Sequence, residues 1–263
     1  MSTLLGPRPR TAAVLDFPRL LARFLSAGLV GGVLAGVWLL LVTEPVIRSA
    51  LEVEAARRTA DAPGHPGEAV SRATQLLGGV LGTVITGLVL ALVFATVYGT
   101  VRHRLPGRTD LDRAALLAAV AFAVVGVLPA VVIPANPPGA GVPGTVTTRT
   151  TIYGGVLLCG IVIALLTGAL VGRLRKRGVG AAPTAVAATV LALGLATLVV
   201  VLLRGGPDVL PADMPTGLVW RFRLASLGQL LVLWGVIGLV GGWLLDRARH
   251  RWPDRGAGQR SRA

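Results

Sequence analysis

Few side chains in this 263-residue chain can do chemistry, and they gather in a handful of places. His65 stands between Asp61 and Glu68, downstream of Glu52 and Glu54. Imidazole and carboxylate together suit a borderline divalent ion such as Co2+ or Ni2+. His65, Glu68, Glu52 and Glu54 are therefore the candidate metal ligands. The run Pro63-Gly-His-Pro-Gly67 is turn sequence, so the plain alternative is an ordinary loop histidine. His103 and His250 lie among arginines, which disfavour a metal cation. Glu44, Arg48 and Glu52 recur at i, i+4 and i+8 and can pair along one helix face. Cys159 is the only cysteine; it excludes an intramolecular disulfide and reads as a small buried hydrophobe. No P-loop, H-E-x-x-H or C-x-x-C occurs. The expected role is non-enzymatic, with no catalytic residue and no resident cofactor, and any ATP-driven motor would be a separate chain.

The elements that must hold these residues are apolar. The chain is 53% hydrophobic and 14% charged, with a mean hydropathy of +0.73. A soluble domain is about a quarter charged. The net charge of +14 does not indicate a nucleic-acid partner, because the basic residues sit at the ends of apolar runs rather than across a polar surface. Six runs, 24–42, 76–101, 114–133, 152–171, 183–203 and 224–245, are long enough to cross a bilayer and carry no Asp, Glu, Lys or Arg inside. Strand-like alternation is absent, which excludes a β-barrel. The first run exceeds a signal-peptide core and no A-x-A site follows directly behind it, so it is expected to stay as a helix.

This predicts an all-α, polytopic helix bundle in the lipid bilayer. Residues 1–19 form a basic segment, 20–246 the six-span domain and 247–263 a basic tail. Of the 26 basic residues, 18 fall on the side holding both termini and the loops 102–113 and 173–182. The positive-inside bias predicts N-in/C-in orientation in a cell membrane. The dominance of Arg, Ala, Gly and Val suggests a GC-rich bacterial genome and hence a bacterial inner membrane.

Glycines at four-residue spacing suit close helix packing in lipid. Gly28, Gly32 and Gly36 form the best such stripe; Gly78 and Gly82, Gly168 and Gly172, and Gly238 and Gly242 are shorter ones. Pro129 is expected to kink the third span or loosen its end. Glu44, Asn136, Arg149 and Arg223 all fall at outer helix ends. Glu44 has little reach toward water, so it is expected to pair with Arg149 or Arg223. The four would form either a clasp between helices or a polar mouth for an ion. Gln229 is the only strongly polar side chain well inside a span.

Several segments together resemble the CbtA family of predicted cobalt transporter subunits. They are Thr43-Glu-Pro-Val-Ile47 with Glu52 and Glu54 following, Ile133-Pro-Ala-Asn-Pro-Pro-Gly139, Arg149-Thr-Thr-Ile-Tyr153 and Trp220-Arg-Phe-Arg-Leu-Ala-Ser226. The match runs from about residue 20 to 245, and the Pro-Ala-Asn-Pro-Pro-Gly segment is its most specific piece. The resemblance implies a membrane subunit for cobalt uptake, with Co2+ or Ni2+ as cargo, beside a small single-span partner bearing a histidine cluster. It carries over no ligand residues. A homo-oligomer, a non-transporting scaffold for a partner subunit and an unrelated small-molecule permease remain compatible with the residues themselves.

Overall fold

The computed structural model describes residues 16–61, 71–140, 144–203 and 210–250; side chains are described for these except 58–61 and 250. The described residues are helical with short connections and contain no strand. The helices are α1 (Phe17–Trp38), α2 (Glu44–Asp61), α3 (Arg72–Val101), α4 (Asp110–Phe122), α5 (Leu128–Val132), α6 (Val146–Lys176), α7 (Ala181–Leu203) and α8 (Thr216–His250). Six stretches are long and apolar enough to cross a membrane, and each coincides with one of the runs read from the sequence, the third ending one residue earlier at Val132.

Two of these stretches contain a proline beyond the first helical turn, and the chain treats both alike. A π turn at Leu39–Thr43 joins α1 to α2, and another at Ala123–Val127 joins α4 to α5. In the first, the Glu44 N–H reaches back five residues to the Leu39 carbonyl, just before Pro45. In the second, the Leu128 N–H reaches the Ala123 carbonyl, just before Pro129. A proline in a helix lacks a donor and crowds the carbonyl four residues earlier. The wider π turn makes room there without ending the helix. The helix runs on past Pro129 to Val132, and past Pro45 to Asp61.

The core is built from α1, α3, α4 and α8, with α1 packed on α3, α4 on α8, and α1 on α8 between them. Glycine sets the first two contacts. A Cβ on Gly32 would lie 2.7 Å from the Val84 Cα, and one on Gly28 would lie 2.5 Å from the Gly87 carbonyl oxygen. The Thr83 hydroxyl lies 2.7 Å from its own helix at Val80 O and 3.0 Å from Gly32 O across the interface. On the other pair, a Cβ on Gly238 would come within 2.5 Å of Ala118 Cβ, and one on Gly242 within 2.6 Å of Leu111 Cα. Lipid is as apolar as leucine, so this close backbone approach, and not hydrophobic burial, holds the helices together. Gly78, Gly82, Gly168 and Gly172 would meet nothing within 4 Å, so those two stripes are not used inside the bundle.

Aromatic rings fill the centre of the four helices toward the Asp110 end. Phe24 meets Phe94 and Tyr98 edge-on at 5.0 and 5.2 Å, and Phe94 lies 6.3 Å from Trp234. The α6–α7 hairpin stands outside this core. Only 11% and 6% of the apolar windows of these helices are buried, which leaves their leucines and valines facing outward.

Candidate functional site

At the end of the bundle where α1 passes into α2, the π turn places Thr43 and Glu44 inward, each 4% exposed. Glu44 is held by two arginines. Arg72, at the start of α3, reaches both carboxylate oxygens at 2.6 Å, and Arg48 donates to one at 2.9 Å. Arg72 also donates to Gln75 at 2.7 Å. Beside Glu44, Thr43 approaches the Gln229 side-chain oxygen at 3.5 Å, and further along the first span the Trp38 indole donates to the Ala225 carbonyl at 2.9 Å. Gln229 thus faces α1, where the π turn supplies its partner.

Arg149 and Arg223 do a different job from the one expected of them. Arg149 donates to the Pro134 carbonyl at 2.8 Å. Arg223 donates to the Ala135 carbonyl at 3.1 Å and to the Asn136 side chain at 3.0 Å. The expected pairing of Glu44 with Arg149 or Arg223 is therefore corrected. The prolines leave carbonyls in this turn without helical donors, and the two arginines supply them. Glu44 instead finds Arg72, because the glycine contacts bring the start of α3 beside the end of α1. A third tie comes from Arg57, which grips Asp213 with two bonds of 2.9 and 2.8 Å and the Gly139 carbonyl at 3.1 Å. Its guanidinium holds the exposed Asp213 carboxyl below the usual carboxylate range. Gly139 needs its φ of +74°, and it packs on the Glu54 side chain.

Of the candidate metal ligands, His65 and Glu68 lie outside the described residues. Glu52 lines an outer groove between α2 and the start of α8, whereas Glu54 faces the Gly139 turn. The helix sends them in different directions, two residues being about 200° apart. No group of three His, Cys, Asp or Glu that could hold a metal occurs among the described residues.

Sequence reasoning missed the polar cluster at the opposite end. Asp110 is fully buried; it accepts from the Tyr98 hydroxyl at 2.8 Å and pairs with Arg249 at 2.8 Å and Arg113 at 3.9 Å. Asp246 of α8 accepts from the first backbone N–H groups of α4, those of Asp110 and Leu111, at 2.9 and 3.0 Å. Thr109 and Asp112 complete a capping box. That box is a readable signal, Thr-x-x-Asp ahead of an apolar run. Asp246 at the close of the last span was a second one.

The Glu44 cluster binds helices more readily than cations. Two guanidiniums neutralise one carboxylate and repel an approaching Co2+. Glu44→Gln is expected to lower the yield of folded protein in detergent extracts, because Arg72 and Arg48 lose their ionic partner at a buried position. An unchanged yield accompanied by lost metal uptake would assign Glu44 to an ion entrance instead.

The fold and its two polar ends define a polytopic helical membrane protein of six candidate spans, closed by arginine–carboxylate clusters at both ends. A family model described as probable cobalt transporter subunit (CbtA) matches residues 17–246. The chain belongs to that family, and it is a membrane subunit of the cobalt-transporter kind. No curated protein and no solved structure matches it.

Proposed function

We propose that this chain is the multi-pass subunit of a cobalt uptake system in a bacterial inner membrane, and that its first-line metal ligands come from a partner. One observation carries this reading. The two buried acidic side chains among the described residues, Glu44 and Asp110, are both already paired with arginine. A buried carboxylate held this way is not free to take a divalent ion. The family description, a subunit, supplies the expectation of a second chain. A small single-span protein with a histidine cluster fits the need, since neutral imidazole binds Co2+ and Ni2+ well.

The 18-to-8 division of basic residues supports N-in/C-in orientation, with Asp110 toward the cytoplasm and Glu44 toward the outside. The loop holding His65 and Glu68 then lies on the outer side, where it can add to metal capture. The role is transport or its support, without catalysis. The exposed α6–α7 hairpin favours a second reading, a scaffold that docks a partner without passing the ion.

The test is cobalt accumulation in cells expressing this chain alone, the neighbouring His-containing chain alone, or both. We expect uptake only with both, and a lowered apparent affinity for cobalt when His65→Ala is introduced. Uptake by the partner alone would establish the scaffold reading. Uptake by this chain alone, unchanged in His65→Ala, would remove the partner requirement and the His65 loop together.

A further inference from the structure

We propose that Phe24, Phe94, Tyr98 and Trp234 form a gate across the route between the four core helices, shut in this structure and latched by the Tyr98–Asp110 hydrogen bond. The inference rests on the transport reading above and adds the device that controls it.

The packing divides the core into two units. Glycine-mediated backbone contact locks α1 to α3, and equally close contact locks α4 to α8. The seam between the units is softer. There Gly31 meets Leu233, Gly241 meets the Phe24 ring, and Gly228 meets the Trp38 ring. Side chains can rearrange at such a seam, whereas backbones in contact cannot slide past each other.

Each end of the seam is closed differently. Toward Glu44 it is polar, with Thr43 against Gln229 and the Trp38 indole bonded to Ala225 O. Toward Asp110 it is filled by the aromatic rings, a constriction that excludes water and ions. Tyr98 belongs to the α1–α3 unit and Asp110 to the α4–α8 unit, so their 2.8 Å bond crosses between the units. Arg249, on α8, and Arg113, on α4, hold the Asp110 carboxylate ready to accept it.

One further feature marks the plug as one of two states. Trp234 is 4% exposed, yet its indole N–H has no acceptor among the described residues. Trp38 at the other end does have one. A buried donor without an acceptor penalises the arrangement that contains it. Parting of the units admits water to the Trp234 N–H and removes the penalty, so the same residue that helps close the plug biases it toward opening.

The experiment places a cysteine behind the plug, Gly31→Cys with Cys159→Ala, and measures its labelling by a membrane-impermeant cationic thiol reagent. Sealed everted vesicles present the Asp110 end to the reagent. Tyr98→Phe is expected to raise the labelling rate about two- to tenfold, the population shift produced by losing one hydrogen bond, and Phe24→Ala, which removes a ring from the plug, is expected to raise it as well. Equal labelling in the parent and both variants overturns the gate. Where either variant fails to accumulate, Trp234→Phe decides. Without the unpartnered donor, the closed state gains weight, so labelling falls while thermal stability holds or rises. A fall in stability with unchanged labelling makes Trp234 a packing residue and overturns the proposal. Cobalt uptake measured in parallel separates the two readings: a labelling response without uptake keeps the gate and removes transport by this chain, and uptake without a labelling response does the reverse.

Discussion

Gly32→Ala is expected to abolish most of the folded protein, although it adds a single methyl group. The new Cβ would stand 2.7 Å from the Val84 Cα and 2.9 Å from the Thr83 carbonyl oxygen. Both are backbone atoms, so no side chain can turn aside. The helices would have to part, weakening the approach of Gly28 to Gly87 and the Thr83 bond to Gly32 O. Overpacking usually costs about 1–3 kcal/mol, and a backbone conflict belongs at the upper end or beyond. The companion measurements are Gly78→Ala and Gly168→Ala. A Cβ at either position meets nothing within 4 Å, so both should purify like the parent. Size-exclusion profiles and thermal unfolding in detergent check the set. If all three variants behave alike, close glycine contact is not what holds α1 on α3.

Asp110→Ala comes next in expected size. The side chain is fully buried and serves partners on α3, α4 and α8 at once. Its loss leaves the Tyr98 hydroxyl without its acceptor and removes the carboxylate beside two guanidiniums. Breaking a buried ion pair from one side costs roughly 3–5 kcal/mol. Arg249 is half exposed and can return to water, which argues for the low end of that range. The exposed Arg57–Asp213 pair is the contrast, and Asp213→Ala should be nearly silent. Thermal unfolding in detergent distinguishes the two; equal shifts would mean that the Asp110 cluster carries no more weight than a surface pair.

The spans were legible because lipid demands long apolar runs, and hydropathy reads length directly. The partners at the helix ends were less so. Glu44 was expected near Arg149 or Arg223 on the ground that all three sit at outer ends, which says nothing about which helices are neighbours. The stripe of Gly28, Gly32 and Gly36 held that information, since it marks the face on which the next helix lies. Carried one step further, it points to α3 and thus to Arg72. The Pro134–Asn136 turn lies at the same end of the bundle as Glu44, as the sequence implies, but its need for donors is assigned to no residue by sequence. Asp110 was passed over because charges beside a span read as loop. Thr109 and Asp112 nonetheless spelled a helix start, and a buried residue directly after that cap needs a partner. The reach of Asp246 and Arg249 across from α8 depends on the pairing of the third and sixth spans, which no local pattern encodes.

The π turn ahead of Pro45 has an effect on phase. It inserts one residue into an otherwise continuous helix, and one residue of α-helix is about 100° of rotation. Everything after Thr43 is therefore turned by that angle relative to an uninterrupted helix. Leu41, inside the turn, is 72% exposed, and by its side chain it is among the most dispensable residues of the first span. Counted as a backbone unit it is not dispensable: deleting it would return regular α turns with Glu44, Val46 and Ala50 still facing their present neighbours, but would leave Pro45 in an uninterrupted helix, where its ring crowds the carbonyl four residues earlier. Substitution and deletion at Leu41 thus have opposite severities: the first changes an exposed surface, the second removes the turn that accommodates Pro45.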